Sequence, residues 1–505
     1  MAFQFIWSLF SRIFTISLLL LICAVVYQLS IYIYNVFFHP LRRYPGPRLC
    51  AASFIPTIEK MVDGEAQKWI TNLHSQYGEV VRVAPNELSY SSAQSWKDIY
   101  GHRRAGEPVL TKPDRFYEFP DSVPSIVNAG AADHSRFRRV FSHAFSDKAL
   151  KLQEPLFLAY VDKLVKVMYT AAQKDSKHVF DMVRMYNYTT FDVMGDLTFG
   201  ESLDMLDMEG YHPWVAAVFS NFKFGVYLHS IRYYSIIEKA LFGMVMSLLP
   251  PSLNEKRKLH HEFSRARVDR RLEKKDARPD IWGLVLQRDG ESGLTRQEMY
   301  EHGNLFMIAG TETTATALSG LTWYLLKNPD KLKMLTEEIR GAFPSEDDIT
   351  IERLQALKYL QGCVEEGLRM YPPISNGLPR VVPPEGVTID GKTVPPGTNV
   401  YATHISVYRN PNNFRDPYSF IPERWFSDKY SEDKKHAFQP FSYGPRNCLG
   451  KNMAYHEIRI ILAKVLWNFD LTLCPESENW GDQKTYLMWD KPQLLVNATP
   501  AARKA

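Results

Sequence analysis

Phe441-Ser442-Tyr443-Gly444-Pro445-Arg446-Asn447-Cys448-Leu449-Gly450 reads as a tight loop in which two glycines and a proline surround one cysteine, and a helical pattern through Ala454, Ile458 and Leu462 follows it. A turn of this kind aims several backbone N–H groups at a sulfur, and the N-terminus of the next helix adds its dipole, so a thiolate at Cys448 is stabilised. The chain has five cysteines, at 23, 50, 363, 448 and 474, with no C-x-x-C pair. A disulfide framework, a zinc ribbon or an iron–sulfur cluster needs more cysteine near the loop than this. The wide spacing implies a reducing compartment. A single thiolate suits a metal whose other positions are already filled, and haem with an axial cysteine is such a case. The alternative is a structural turn around a small buried hydrophobe, which is also the plain reading of the other cysteines.

Upstream, Thr295 to Lys327 reads as one helix. Thr295 and Glu298 form a capping box, apolar residues recur at helical spacing, and Asn328-Pro329 stops the pattern. At 1.5 Å per residue this rod is roughly 50 Å long and crosses a whole domain. In its middle stands Ala309-Gly310-Thr311-Glu312-Thr313-Thr314, a polar cluster in an apolar element. Taken alone, Thr313 and Thr314 bond back to carbonyls one turn earlier and Glu312 faces solvent. Glu366 and Arg369 share one face of a helix ending at Tyr371-Pro372-Pro373, and alone they read as a surface ion pair. Three further fragments are Pro422-Glu423-Arg424-Trp425, Leu378-Pro379-Arg380 and Asp133-His134-Ser135-Arg136-Phe137-Arg138-Arg139.

In this order the motifs resemble those of the cytochrome P450 monooxygenases. The loop fits F-x-x-G-x-R-x-C-x-G in full, Glu366 and Arg369 fit E-x-x-R, and residues 422–425 resemble P-E-R-F with Trp425 in place of phenylalanine. The helix cluster resembles A/G-G-x-D/E-T-T/S, and residues 134–138 resemble W-x-x-x-R with His134 at the tryptophan position. The resemblance implies a mainly α fold with small β-sheets, a single haem-thiolate monooxygenase domain behind an N-terminal transmembrane helix. It implies haem b (iron protoporphyrin IX), with Cys448 as the metal ligand. Arg446, Arg380 and Arg138 are implied as partners of the haem propionates, with His134 expected to hydrogen-bond one of them. Glu312 and Thr313 are the implied catalytic pair, the acid relaying protons and the alcohol steadying dioxygen, with Gly310 and the threonines opening the helix locally. Glu366, Arg369 and Arg424 are implied to form a buried triad behind the haem.

The implied reaction inserts one atom of O2 into a lipophilic small molecule. No nucleotide or flavin fingerprint follows the loop, and 55 residues remain after Gly450, so NADPH and flavins are expected to act through a partner, an NADPH-dependent cytochrome reductase. Its expected docking face lies near Lys434, Lys435 and Lys451. Residues 116–126, 219–227 and 374–378, with Phe306, Met488 and Trp489, are expected to face the substrate. The stretches FFHPLRRYPGP and DHSRFRRVFSHAFS are most similar to fungal secondary-metabolite members such as the isotrichodermin hydroxylase group. A haem-thiolate isomerase or dehydratase and a non-catalytic haem sensor are the rival classes, and the intact Glu312–Thr313 pair argues against both.

Ahead of the motifs, Ile13 to Phe38 are 26 residues with no Asp, Glu, Lys, Arg or His, more than the ~20 that span a bilayer core. Arg12 precedes this run, and Arg42, Arg43 and Arg48 follow it. The positive-inside rule then implies a single-pass protein of the endoplasmic reticulum membrane with its bulk in the cytosol. Residues 1–38 are expected to be the anchor, 39–50 a proline-rich hinge and 51–505 the catalytic domain. The 60 Lys+Arg against 56 Asp+Glu leave a charge of +4, which gives no nucleic-acid footprint, and 45% hydrophobic with 23% charged residues is a globular composition. Two short strands, EVVRV and ELSY, are expected on either side of Pro85-Asn86, with helices dominating afterwards. Glu255 to Arg278, with ten basic residues against five acidic, reads as a solvated helix face. The sequons at Asn187 and Asn497 read as chance matches.

Overall fold

The apolar N-terminal sequence forms α1 (Ala2–Phe37), which starts well before the charge-free run because no proline or glycine interrupts residues 2–12. In the computed structural model, which describes residues 2–104, 106–117, 123–208, 210, 215, 225–234, 251–274, 278–289 and 293–502, it is the one described helix long and apolar enough to cross a membrane. Its large side chains are exposed. Pro40 opens a single 3-10 turn behind it, and the prolines that follow make a strap fastened to the domain. Buried Arg82 is the fastener: its backbone N donates to Pro45 O at 2.7 Å, and its side chain donates through Nη1 to Asn35 O of α1 at 3.0 Å and through Nη2 to Pro85 O at 2.7 Å.

Arg82 lies on β1 (Val80–Ala84), antiparallel to β2 (Glu87–Tyr90) across the expected Pro85-Asn86 break. The sheet is completed by β3 (Arg380–Val381) and β4 (Asn399–Ala402), in the order β1-β2-β4-β3, with β4 parallel to β2. A parallel pair needs a crossover, and here it runs through α2 (Met182–Phe199), α3 (Arg296–Lys327) and α4 (Lys358–Met370), while α5 (Lys451–Asn468) follows β4 and packs against α3 and α4. The expected capping box opens α3: Thr295 Oγ1 accepts from Glu298 N at 3.2 Å, and Glu298 Oε2 accepts from Thr295 N at 2.8 Å. α3 is buried over most of its length and packs along α2. The contact is tight at Gly310, where an added Cβ would stand 2.7 Å from the Met194 sulfur. The result is a mainly helical fold with small sheets, as the resemblance implies.

One reading needs correction. The basic stretch after Glu255 does form a helix, Pro251–Glu273, but Arg271 is buried and paired with buried Asp280 at 2.5 Å. That stretch is therefore not solvated along its whole length.

Behind the Cys448 loop the expected triad is present and larger. Glu366 accepts from Arg369 at 2.7 and 2.9 Å and from Arg424 at 3.1 and 3.2 Å, and all three side chains are fully buried. Three charges would leave an uncompensated cation, and Asp433 supplies the balance by accepting from Arg424 Nη1 at 2.5 Å. The Trp425 departure has a physical role too: its indole N–H donates to Glu366 Oε2 at 3.1 Å, which phenylalanine cannot do. Breaking one partner of a buried ion cluster costs about 3–5 kcal/mol. Glu366→Gln is accordingly expected to lower the unfolding free energy by that amount, read from the midpoint and slope of urea unfolding. Trp425→Phe should cost about 1.5–3 kcal/mol, the range for one hydrogen bond to a charged group. A Trp425→Phe chain as stable as the parent would show the indole bond to be incidental.

Candidate active site

The site is built on the end of the Cys448 loop. Cys448 N donates to Phe441 O at 2.8 Å and Asn447 N to Gly444 O at 3.1 Å, closing the turn. Gly444 has φ +76 and lies against the Tyr100 carbonyl, so this position takes glycine on both counts. The Cys448 thiol opens onto an internal cavity of about 370 Å³. Burial pushes that thiol up, while the Gly450 N–H, Arg138 and Lys451 pull it back toward the thiolate. None of the other cysteines borders this cavity.

One wall of the cavity carries a cluster of basic side chains: Lys112, His134, Arg138, Arg380 and Arg446. Arg446 donates to Ala129 O at 2.9 Å, and Arg380 donates to Pro379 O at 2.9 Å and to the Tyr117 hydroxyl at 3.1 Å. Arg138 grips the cysteine loop itself, through Asn447 O at 2.7 Å and Asn447 Oδ1 at 2.5 Å. Lys112 donates to Val127 O. These partners are backbone oxygens, an amide and a phenol; among the described residues none is a carboxylate. The lack of an anion shows in the titration. Lys112 is pushed down to about 6 by burial and then by Arg380 and Arg446. His134 is pushed down to about 4 by burial, then by Arg446, Lys112, Arg138 and Arg380, so it is neutral and keeps one N–H to donate. A buried basic cluster without an anion is costly, and two carboxylates of a bound group would complete it. The donor set therefore fits a haem, with one thiolate for the metal and basic groups for two propionates. Lys112 and Tyr117 were not legible as part of this cluster, because Thr111-Lys112-Pro113 carries no motif and the partner arginines are far away in sequence.

The opposite side of the cavity is α3. The helix is continuous through residues 309–314, so the expected local opening takes the form of bonds back to carbonyls: Thr313 Oγ1 to Ala309 O at 2.6 Å and Thr311 Oγ1 to Met307 O at 2.6 Å. Thr313 borders the cavity. Glu312 is not solvated, as it would be on its own: it is buried, and its carboxylate pairs with Lys491 on the far side of α3 and does not border the cavity. One residue along a helix is a turn of about 100°, so neighbours in sequence face different surroundings.

The remaining lining is apolar. Phe306 packs edge-on between Phe141 at 4.9 Å and Phe145 at 5.4 Å, and with Ile126, Ile374 and Leu378 it walls the cavity. Ile374 and Leu378 also border a second cavity of about 270 Å³, with Phe116, His229 and Leu487. Met488 and Trp489 do not border either space; Trp489 stacks on Tyr371 at 4.3 Å and donates to Pro372 O at 2.8 Å, so it is core. The expectations on residues 118–122 and 219–224 lie outside the described residues. On the outer side of the cysteine loop, a hollow of about 490 Å³ is lined by Tyr443, Asn447 and Lys451, and Lys434 and Lys435 are exposed.

One cavity thus joins a lone cysteine sulfur, an anion-seeking basic wall and an apolar space for a ligand, which defines a haem-thiolate protein. Residues 45–497 match the family described as Cytochrome P450, and the chain belongs to that family. Similar proteins include cytochrome P450 monooxygenase efuB of Hormonema carpetanum, 45% identical over 483 residues, covering 94% of this chain and 95% of the relative. Cytochrome P450 monooxygenase FUM2 of Gibberella moniliformis is 45% identical over 478 residues, with 93% and 100% covered. Cytochrome P450 monooxygenase astA of Talaromyces wortmannii is 43% identical over 481 residues, with 95% and 96% covered. The cofactor of the family is haem on a cysteine thiolate.

Removing one cation from a buried charge pair costs about 2 kcal/mol or more and acts on the off-rate. Lys112→Met is therefore expected to speed haem transfer to apomyoglobin about 30-fold. A transfer rate equal to that of the parent would exclude Lys112 from the propionate contacts.

Proposed function

We infer that the chain is a monooxygenase that inserts one oxygen atom from O2 into a lipophilic small molecule, with electrons supplied by an NADPH-dependent cytochrome reductase. The observation that carries this reading is the single cavity shared by the Cys448 sulfur, the basic wall, Thr313 and an apolar lining. When bound, the haem would supply the activation of O2, and the Cys448 thiolate would hold it and lend it electron density.

The residues then divide the remaining work. Cys448 holds the iron, and Arg446, Arg380, Arg138 and His134, joined by Lys112, hold the propionates. Thr313 has its hydroxyl hydrogen committed to Ala309 O, so its oxygen presents lone pairs to the cavity as an acceptor. Glu312 supplies the proton from behind α3. Phe306, Ile126, Ile374 and Leu378 exclude water and hold an apolar substrate against that polar edge. The exposed Lys434 and Lys435, with Lys451 beside the outer hollow, give an acidic reductase face a place to dock on the cysteine side.

The proposed arrangement is an anchor over residues 1–38, a proline-rich strap over 39–50 and the catalytic domain over 51–505, in the endoplasmic reticulum membrane with the domain in the cytosol. The exposed apolar surface of α1 and the arginines at 42, 43 and 48 support it. The fungal sources of the similar proteins support a place in fungal secondary metabolism.

The deciding measurement is the spectrum of the reduced protein under carbon monoxide, for the parent and for Cys448→Ser. A strongly red-shifted Soret band, lost in the variant, is expected; a band that survives the substitution overturns the assignment of Cys448. A parent that keeps this band, binds lipophilic compounds and still consumes no NADPH and O2 with a reductase would be a reductase-independent isomerase or dehydratase instead.

A further inference from the structure

Lys491 is an unusual residue to find where it is. It follows the hairpin formed by Thr485–Tyr486 and Met488–Trp489, and it projects into the core with 4% of its side chain exposed. Its Nζ is ion-paired with Glu312 Oε1 and donates to Thr316 Oγ1 at 2.7 Å, and Thr316 lies one turn beyond Glu312 on α3. Glu312 Oε2 is buried and has no hydrogen-bond partner. The backbone that carries Lys491 is fixed on both sides. Trp489 is tied to Pro372, Asp490 N donates to Lys484 O at 2.9 Å, and Leu494 N donates to Asp181 Oδ1 at 3.2 Å.

A buried ion pair is a poor device for stability alone, since apolar side chains of the same size commonly do as well or better. What it does supply is orientation and charge. From this geometry we infer that Lys491 is the positioning residue of Glu312: it holds the carboxylate in one rotamer, with Oε1 occupied and Oε2 as the one oxygen left open to take up a proton and give it away. The inference rests on the reading of Glu312 as the proton-supplying acid. Lys491 does not touch the cavity and does not itself exchange the proton. It acts by holding the acid behind α3, one residue from Thr313, whose side chain faces the cavity. The segment behind the C-terminal hairpin thereby sets the acid's position although it does not border the cavity of the cysteine.

The test uses the full-length holoenzyme with reductase and NADPH, comparing Lys491→Gln, Glu312→Gln, the double variant and Lys491→Arg. O2 consumption and its solvent deuterium isotope effect report proton delivery, and the infrared carboxyl band that Glu312→Gln abolishes reports the acid itself. Lys491→Gln is expected to slow O2 consumption about tenfold, less than the roughly 10²- to 10⁴-fold lost with a general acid itself, because the acid stays in place. It is also expected to raise the isotope effect as Glu312→Gln does and to shift the infrared carboxyl band that Glu312→Gln abolishes. The double variant should be no slower than either single one, because the two act as a unit. Lys491→Arg keeps the charge and should recover most of the rate. Should Lys491→Gln fail to load haem, Lys491→Met with Glu312→Leu removes both charges together, and its rate is expected to match that of Glu312→Gln. If Glu312→Gln slows the reaction while Lys491→Gln retains the parent's rate, isotope effect and infrared spectrum, the inference about Lys491 is overturned. If Glu312→Gln itself is as fast as the parent, the reading of Glu312 beneath it fails.

Discussion

Everything at the cysteine end of the molecule hangs on one buried carboxylate. Glu366 has no route to solvent and is satisfied by two guanidinium groups, an indole N–H and the Ile421 backbone N–H at 2.9 Å. From there a bonded chain leads to the loop. Arg369 donates to Tyr408 O at 3.0 Å, the Tyr408 hydroxyl accepts from Gln439 N at 3.1 Å, and Gln439 O accepts from Ser442 N at 2.9 Å. Ser442 is a residue of the loop itself. A shift of α4 would therefore be felt at Cys448 through directional bonds as well as through packing, and hydrogen bonds in a low-dielectric interior are costly to leave unmade.

The molecule handles buried charge in two contrasting ways. Glu366, Arg369, Arg424 and Asp433 close on one another, two cations against two anions, and nothing further can be added. Arg380 is buried and Lys112, Arg446 and Arg138 are half-buried at the cavity wall, and they bind only neutral oxygens among the described residues. An open set of this kind is destabilising until an anion arrives, so part of the binding free energy of that anion is already stored as the penalty it relieves. The closed set keeps the open one in place, since both are reached from the same loop.

This difference also explains what could be read from the sequence. The cysteine loop, the E-x-x-R pair and Arg424 are short motifs whose members lie on one turn or one helix, so spacing carries their geometry. Asp433 completes the closed set from a stretch with no motif, and only charge balance betrays it. Lys112 and Lys491 are invisible for another reason. Their partners lie across the chain, Lys491 being 179 residues from Glu312, and a lone lysine reads as a surface residue until the fold buries it. Met488 and Trp489 failed in the other direction, because an aromatic near a cavity and an aromatic in the core have the same composition. The direction in which Glu312 points is set by the rotation of α3, which a uniformly buried helix does not encode in its periodicity.

The β1–β2 hairpin carries two attachments, one on each strand. On β1, Arg82 holds the last turn of α1 through Asn35 O. On β2, buried Glu87 pairs with Arg115, whose guanidinium lies over the Tyr233 ring at 4.4 Å and over the Phe54 ring at 5.8 Å. Arg115, Phe116 and His229 border the second cavity, which shares Ile374 and Leu378 with the haem cavity. One hairpin therefore carries both the fastening of the apolar helix and a wall of the outer cavity. The proline-rich stretch behind α1 is bonded to the same hairpin, Arg82 N donating to Pro45 O at 2.7 Å, so the seat of the apolar helix and a wall of the second cavity are set by one element.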